Sequence, residues 1–311
     1  MEEKKYDVVI VGGGPAGLSA AAFCGRKFLR TAVFEGDCWG GILTRCCPDK
    51  RIDNYPGAPR GISAGDLAGL FFDGALEAGA DLIECAVEEI SPEGRIRATN
   101  VEATAKVVIL ACGSAAAEAN IRGEREFAGR GGVYYMVPDP ARFRGKRVVV
   151  VGGGDTAVSH VQRLDGIADR VTLVHRQAGL RSQHGFPEPA ARSRSLDILL
   201  CTAAEEILGS ERVEGVRMKD LGDGRIFDVP ADAVIVAAGR VPNTTLFRDL
   251  GLRVDSKGQV VTDAWQKTST ARILAVGDVS SPLKMIITAV AQAAAAAQEA
   301  YLEIRAPYWA A

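Results

Sequence analysis

Cys46 and Cys47 stand side by side in the run TRCCPDK. Two thiols can store two electrons as a disulfide, so the pair is the first candidate for redox chemistry. Adjacent Cα atoms lie about 3.8 Å apart across a trans peptide, below the roughly 4.4 to 6.8 Å span of ordinary disulfides. A Cys46–Cys47 bond would therefore be strained and readily reduced, which suits electron transfer better than clamping. A bond between Cys38 and Cys46, and inert packing of the sulfurs, are the other readings. Cys24, Cys85, Cys112 and Cys201 fall on apolar helix or strand patterns and are expected in the core.

Glycine carries the second chemistry. VVIVGGGPAG, from Val8 to Gly17, recurs as VVVVGGGDTA from Val148 to Ala157. Each copy is four β-branched residues, a glycine turn and a run of small residues. This is the pattern of a strand that hands a dinucleotide pyrophosphate to a helix N-terminus. The glycines give a tight turn, close backbone approach and intimate packing of helix on strand; the helix start offers N–H groups and the positive end of its dipole.

The residue ending the next strand selects the ribose. RTAVFE ends on Glu35, whose carboxylate suits the free hydroxyls of an adenosine ribose and so fits FAD. RVTLVH ends on His175, followed by Arg176 and then Arg181. Guanidinium groups bind a 2′-phosphate through charge-assisted hydrogen bonds, which points to NADP(H).

These elements imply an α/β chain with two Rossmann-like dinucleotide-binding domains, the second inserted in the first. KVVILACG (Lys106 to Gly113), AVIVAAGRVPN (Ala233 to Asn243) and RILAVGD (Arg272 to Asp278) supply the closing strands. The expected boundaries are residues 1–113 plus 243–311 for the FAD-binding domain and 114–242 for the NAD(P)H-binding domain. Gly113 and Arg240 would form the hinge between them.

Composition excludes other classes. Lys and Arg (37) nearly cancel Asp and Glu (39), so no strong field favours nucleic acid or an anionic surface. The start MEEKKYDVVIVGGG lacks a secretory signal's apolar region, which predicts a cytoplasmic protein. Ala289 to Tyr301 is interrupted by Gln292, Gln298 and Glu299 and reads as an alanine-rich helix, not a membrane span. With no C-x-x-C and only His160, His175 and His184, no metal site is expected.

GGGPAGLSAA, GGILTRCCPDKRIDNYPG, GGGDTA with HRQAGLR, AAGRVPNT and AVGDV together resemble the low-molecular-weight thioredoxin reductases and their relatives over essentially the whole chain. The resemblance implies FAD contacts at Gly12, Gly14, Pro15, Ala16, Gly17 and Glu35. It adds Gly41, Ile42, Asn54, Val87, Ala111 and Gly113, then Gly277, Asp278, Met285 and Ile286. For NADP it implies Gly152, Gly154, Asp155, Thr156, Ala157, His175, Arg176, Arg181 and Arg240. Gln177 departs from a second arginine often found in this phosphate clamp.

Thioredoxin reductases carry a C-x-x-C shortly before the second glycine turn, whereas here Gly132 to Gly154 contains no cysteine. That segment, with TRCCPDK and SPLKMI, resembles instead the ferredoxin-NADP(+) reductases of the same fold, whose aromatic against the flavin is replaced here by Cys47. The expectation is an FAD-dependent NAD(P)H oxidoreductase serving a small carrier such as ferredoxin or flavodoxin. The alternatives are a thiol-disulfide oxidoreductase using Cys46 and Cys47 as tentative catalytic residues near the flavin, and a flavin-containing redox sensor without fast turnover. The basic run Arg142 to Arg147 is a candidate carrier patch, Tyr308 or Trp309 a shortened lid, and a homodimer the implied assembly.

Overall fold

The structure is a computed structural model that describes residues 4–46, 48–137, 139–182 and 195–306. The chain forms two compact units, Met1–Ala115 with Val241–Ala311, and Ala116–Arg240.

The first unit begins with β1 (Lys4–Val11), α1 (Pro15–Arg26) and β2 (Thr31–Glu35). There follow α2 (Ile42–Arg45), α3 (Ala64–Glu77), β3 (Asp81–Glu84), β4 (Val87–Ile90), β5 (Arg95–Ala98) and β6 (Val101–Leu110). β1 runs parallel to β2 and β6, with Val8 opposite Thr31 on one side and Val107 on the other. Val8, Val9 and Ile10 are wholly buried. A strand covered on both faces reads as an unbroken β-branched run, and that is why VVIV does not alternate with polar residues. Pro15 takes the first position of α1, where its missing N–H costs nothing. The sheet order β3-β2-β1-β6 reverses direction at β1, so the glycine turn leaves the sheet at a topological switch point.

The crossing strand β7 (Ser114–Ala116) leads into α4 (Glu124–Gly129), β8 (Val133–Tyr134), β9 (Arg147–Val151), α5 (Asp155–Leu164) and β10 (Arg170–Val174). β11 (Leu196–Leu199), β12 (Thr202–Leu208), β13 (Gly215–Asp220), β14 (Ile226–Pro230) and β15 (Ala233–Val236) complete the second unit, and β16 (Arg240–Pro242) returns beside β7. Its sheet, β11-β10-β9-β15-β8, repeats the first design: Val148 lies opposite Val171 and Ala233, and the order reverses at β9. β12, β13 and β14 form a separate antiparallel sheet.

Arg147 clamps the starts of β9 and β15. Its guanidinium reaches both carboxylate oxygens of Asp232 at 3.0 and 2.7 Å, and its own N–H donates to the same group at 2.9 Å. These bonds hold the Asp232 carboxyl at about 2, below its ordinary 3.8. A depressed carboxyl stabilises the fold above its unfolded pKa and loses that contribution as pH falls through the folded one. Asp232→Asn should therefore lower the Tm at pH 7, with the deficit closing between about pH 4 and pH 2. Thermal melts at the two ends of that range check it; an equal deficit at both would contradict the linkage.

The chain re-enters the first unit through β17 (Ile273–Ala275), parallel to β6, and closes with α6 (Ile286–Arg305). Ala293, Ala296, Ala297 and Ala300 are fully buried in one cluster with Leu18, Ala21 and Cys24 of α1. Alanine favours the helix and lets the two backbones approach closely. No helix among the described residues is long and apolar enough to cross a membrane, and none of their side chains form a metal-binding group.

Candidate functional site

The turn after β1 is built on contacts that only glycine allows. A Cβ at Gly12, whose φ is +111°, would fall 2.4 Å from the Ala111 carbonyl oxygen; one at Gly17 would fall 1.8 Å from that of Gly12. At Gly14, by contrast, a Cβ would meet nothing within 4 Å. The turn is thus packed on its protein side and open on the other. No side chain caps α1, so the N–H groups of its first turn face that opening.

Glu35 ends β2 under this turn. One carboxylate oxygen accepts the Gly13 N–H at 2.6 Å and the other the Asp37 N–H at 2.8 Å, which fixes the group at the strand end. The following loop folds back over the glycines. Gly40 N–H donates to the Gly13 carbonyl at 2.9 Å, and a Cβ at Gly41, in left-handed backbone, would lie 3.1 Å from the Gly14 Cα. Ile42 opens α2 and is partly exposed, while Leu43 is buried.

Other predicted residues converge on the same end of this unit. Ala111 ends the strand beside Gly12, and the Gly113 carbonyl accepts the Asn243 N–H at 3.1 Å. Gly277 presses on Ala16, where a Cβ would come within 2.8 Å, and its N–H donates to Gln292 of α6 at 2.8 Å. Asp278 accepts the Ser114 hydroxyl at 2.9 Å. Met285 is the N-cap of α6, which also lacks a side-chain cap, and Ile286 packs with Leu43. Val87 is buried at the start of β4, so its backbone is what it can offer. Asn54 stands exposed on its loop, with no hydrogen bond to the others among the described residues.

Sequence reasoning missed Trp39, Gln292 and Ser114. The Trp39 ring lies against Gly13, where a Cβ would approach it to 2.5 Å, and its indole N–H donates to Glu84 at 2.9 Å. An aromatic directly before a glycine pair was the available signal; nothing local marks Gln292 or Ser114, whose partners lie far away in sequence.

The second turn repeats the construction. A Cβ at Gly152 would fall 2.4 Å from the Ala237 carbonyl oxygen, one at Gly154 would meet nothing, and α5 begins without a side-chain cap. Ala157, where the first copy has Gly17, is fully buried. Asp155 opens the helix and accepts the Ser182 hydroxyl at 2.7 Å; Thr156 follows it. Arg181 is drawn to the turn through its backbone N–H, 2.6 Å from the Gly153 carbonyl, and it and Arg176 are exposed. Arg240 opens β16 at the edge of the unit.

The His175 ring packs on Gly153, it is only 5% exposed, and its Nε2 has no hydrogen-bond partner among the described residues. Burial, with the nearby Arg181 and Arg176 charges, pushes its pKa down, so the positive charge at this strand end comes chiefly from the two arginines.

Among the cysteines, Cys46 is the partly exposed C-cap of α2, its N–H bonded to Ile42 at 3.1 Å. Cys38 is a separate free thiol, pushed up by burial and by the Asp37 and Glu35 charges. Cys24 and Cys85 are buried as expected. Cys201 is not a core residue, being partly exposed just past a strand end, whereas the Cys112 thiol is enclosed against the core of the first unit and burial pushes it up to about 12. Cys47, His184, Tyr308 and Trp309 lie outside the described residues.

The family model described as pyridine nucleotide-disulphide oxidoreductase matches residues 6–300. The chain belongs to that family. Thioredoxin reductase of Treponema pallidum is 37% identical over 305 residues, covering 96% of this chain and 97% of that protein. Thioredoxin reductase of Listeria monocytogenes is 35% identical over the same length, covering 96% and 94%. Among solved structures, Lactococcus lactis thioredoxin reductase matches with a TM-score of 0.89 at 31% identity, covering 97% of this chain and all of that one; T. acidophilum thioredoxin reductase gives 0.86 at 30%, covering 96% and 98%. The thioredoxin-reductase-like flavoprotein fold expected from the sequence holds, and the pyridine nucleotide-disulphide oxidoreductases of this type work with FAD and NADPH. Two glycine turns open on one side, each at an uncapped helix, fit two dinucleotides.

Proposed function

We propose that this chain is an NADPH-dependent disulfide oxidoreductase whose substrate is a disulfide in a small thioredoxin-like protein. FAD, held at the first glycine turn, would supply a two-electron relay between NADPH and the disulfide. The overall balance is NADPH, a proton and a disulfide giving NADP(+) and a dithiol. In this reading Glu35 orients the FAD ribose, the first turns of α1 and α6 face its polar groups, and Arg176 and Arg181 hold the 2′-phosphate of NADPH. A cytoplasmic homodimer is the form in which we expect it to act.

The observation that supports a thiol relay in the first unit is the contact of Gly41 with Gly14. Gly41 is the N-cap of α2, and Cys46 is its C-cap. A single helical turn, about 6 Å long, thus links the floor of the cradle to Cys46. Replacing Cys46 and Cys47 together by serine should cut disulfide reduction to below about one hundredth of wild type while NADPH still bleaches the flavin. Unchanged disulfide turnover would remove the pair from the mechanism.

A second reading has its own observation. Cys201 is the one cysteine of the sequence in the second unit, and the stretch ahead of its glycine turn is tied down by side chains that carry no redox chemistry. The Tyr135 hydroxyl donates to the buried Glu124 at 3.0 Å, and Glu124 also accepts the N–H groups of Ala119 and Ile121. Burial and the Glu124 bond push the Tyr135 phenol up to about 12, so it stays protonated. With no dithiol there, electrons could pass singly to ferredoxin or flavodoxin. Anaerobic titration separates the readings: four electrons per flavin means a working disulfide, and two means the flavin acts alone.

A further inference from the structure

α1 stops on a residue that neither propensity nor burial explains. The N–H of Phe28 donates to the Gly25 carbonyl at 2.8 Å, and the N–H of Leu29 reaches back to that of Cys24 at 3.2 Å. These are the paired bonds of a Schellman stop, whose left-handed position is usually glycine or asparagine. Here Phe28 takes it, with φ +56°, and its ring stands 87% exposed. Cys24 and Leu29 on either side are buried, so the backbone is locked and the ring is held outward. A left-handed conformation at a residue other than glycine acts against stability, and such strain is retained where it serves a function.

The surroundings are basic. Arg26 and Arg30 are exposed, and the Arg305 guanidinium donates to the Phe28 carbonyl at 2.9 Å. Lys27 lies 5.3 Å from the Tyr301 ring centre and bonds Gln298 at 2.7 Å. Of the nearby acids, Asp7 accepts the Arg30 N–H and is matched by Lys106 at 2.7 Å, and Asp81 accepts the hydroxyl of Tyr6, over whose ring the Arg30 guanidinium lies. Arg26, Lys27 and Arg30 thus lie within two residues of Phe28 in the chain, and Arg305 sits on its carbonyl, so four cations belong to this end of the helix. The glycine turn is at the other end of α1, about 18 Å away for 12 residues.

We propose that Phe28 and these four cations form a reversible contact with an anionic membrane surface, the ring entering the boundary between headgroups and acyl chains. One projecting ring cannot supply the roughly 1,000 Å² that a specific protein interface requires. Membrane attachment, in contrast, accumulates from a single aromatic and about a fivefold gain per basic residue near an anionic leaflet. The contact lies at the far end of the helix from the first cradle and leaves that cradle free.

The test is co-sedimentation of the FAD-loaded protein with vesicles of phosphatidylcholine alone or mixed with phosphatidylglycerol. Wild type should pellet only with the anionic vesicles and be released by salt. Phe28→Asn, which suits the left-handed backbone, should reduce partitioning about tenfold, with an unchanged or higher Tm and normal NADPH oxidation. Arg26→Gln with Arg30→Gln should reduce it about 25-fold. Wild type remaining in the supernatant with anionic vesicles at low salt would overturn the proposal. So would full binding by Phe28→Asn. Retention of wild type and Phe28→Asn alike on a polyglutamate matrix, without vesicle binding, would assign the surface to an acidic protein instead.

Discussion

Gly17→Val should yield protein that is colourless, and largely insoluble, after expression in FAD-replete cells. A Cβ at Gly17 would sit 1.8 Å from the Gly12 carbonyl oxygen and 3.3 Å from the Ala111 Cβ, and the nearest of these is backbone that has no rotamer to change. Relief requires α1 to move off β1, yet Leu18, Ala20 and Ala21 of that helix are fully buried. The cost belongs with the exceptional substitutions of about 4 kcal/mol or more. Gly14→Ala is the companion experiment. Its φ of −77° suits any residue, and its Cβ meets nothing within 4 Å, so the fold should keep its Tm. The added methyl would project where the pyrophosphate is proposed to lie, and flavin content should fall with the fold intact. If Gly14→Ala retains its full complement of flavin, the open side of this turn is not the FAD cradle.

Arg176→Ala with Arg181→Ala should raise the KM for NADPH by about 100-fold and leave that for NADH within about twofold. Each guanidinium is exposed, free to form charge-assisted hydrogen bonds that are worth about 1.5–3 kcal/mol apiece, or roughly tenfold or more. His175, buried on Gly153 and with its pKa pushed down by that burial, is poorly placed to compensate. Arg181 makes its bond to Gly153 through the backbone, so alanine at that position preserves the loop. A parallel loss with both nucleotides would mean that the loop itself had been disturbed, and the phosphate assignment would fail. Steady-state kinetics with the two nucleotides, and circular dichroism of the variant, are the measurements.

The glycine turns were legible because their chemistry is local. VVIVGGG and VVVVGGG state in seven residues that a strand is buried on both faces and that the backbone must turn closely after it; no distant partner has to be known. Glu35 was legible for the same reason, standing at a fixed distance from its turn. The burial of His175 was not legible, because position along the chain does not reveal it: the ring lies on Gly153, the residue whose carbonyl also takes the Arg181 N–H. Cys201 was misread because it lies just past a strand end, where an apolar pattern no longer implies a covered side chain.

By itself, then, the sequence determined the duplicated strand, glycine turn and helix, the acid ending one second strand and the arginines following the other, since these depend on residues within one βαβ unit. Only the tertiary structure decided what closes the first cradle. Gln292 reaches Gly277, Ser114 reaches Asp278 across 164 positions, and Trp39 covers Gly13 while bonding Glu84. The physical reason is range: backbone sterics and strand periodicity act between neighbours in sequence, whereas a hydrogen bond or ring contact is settled by which distant segments the packed sheets bring within about 3 Å.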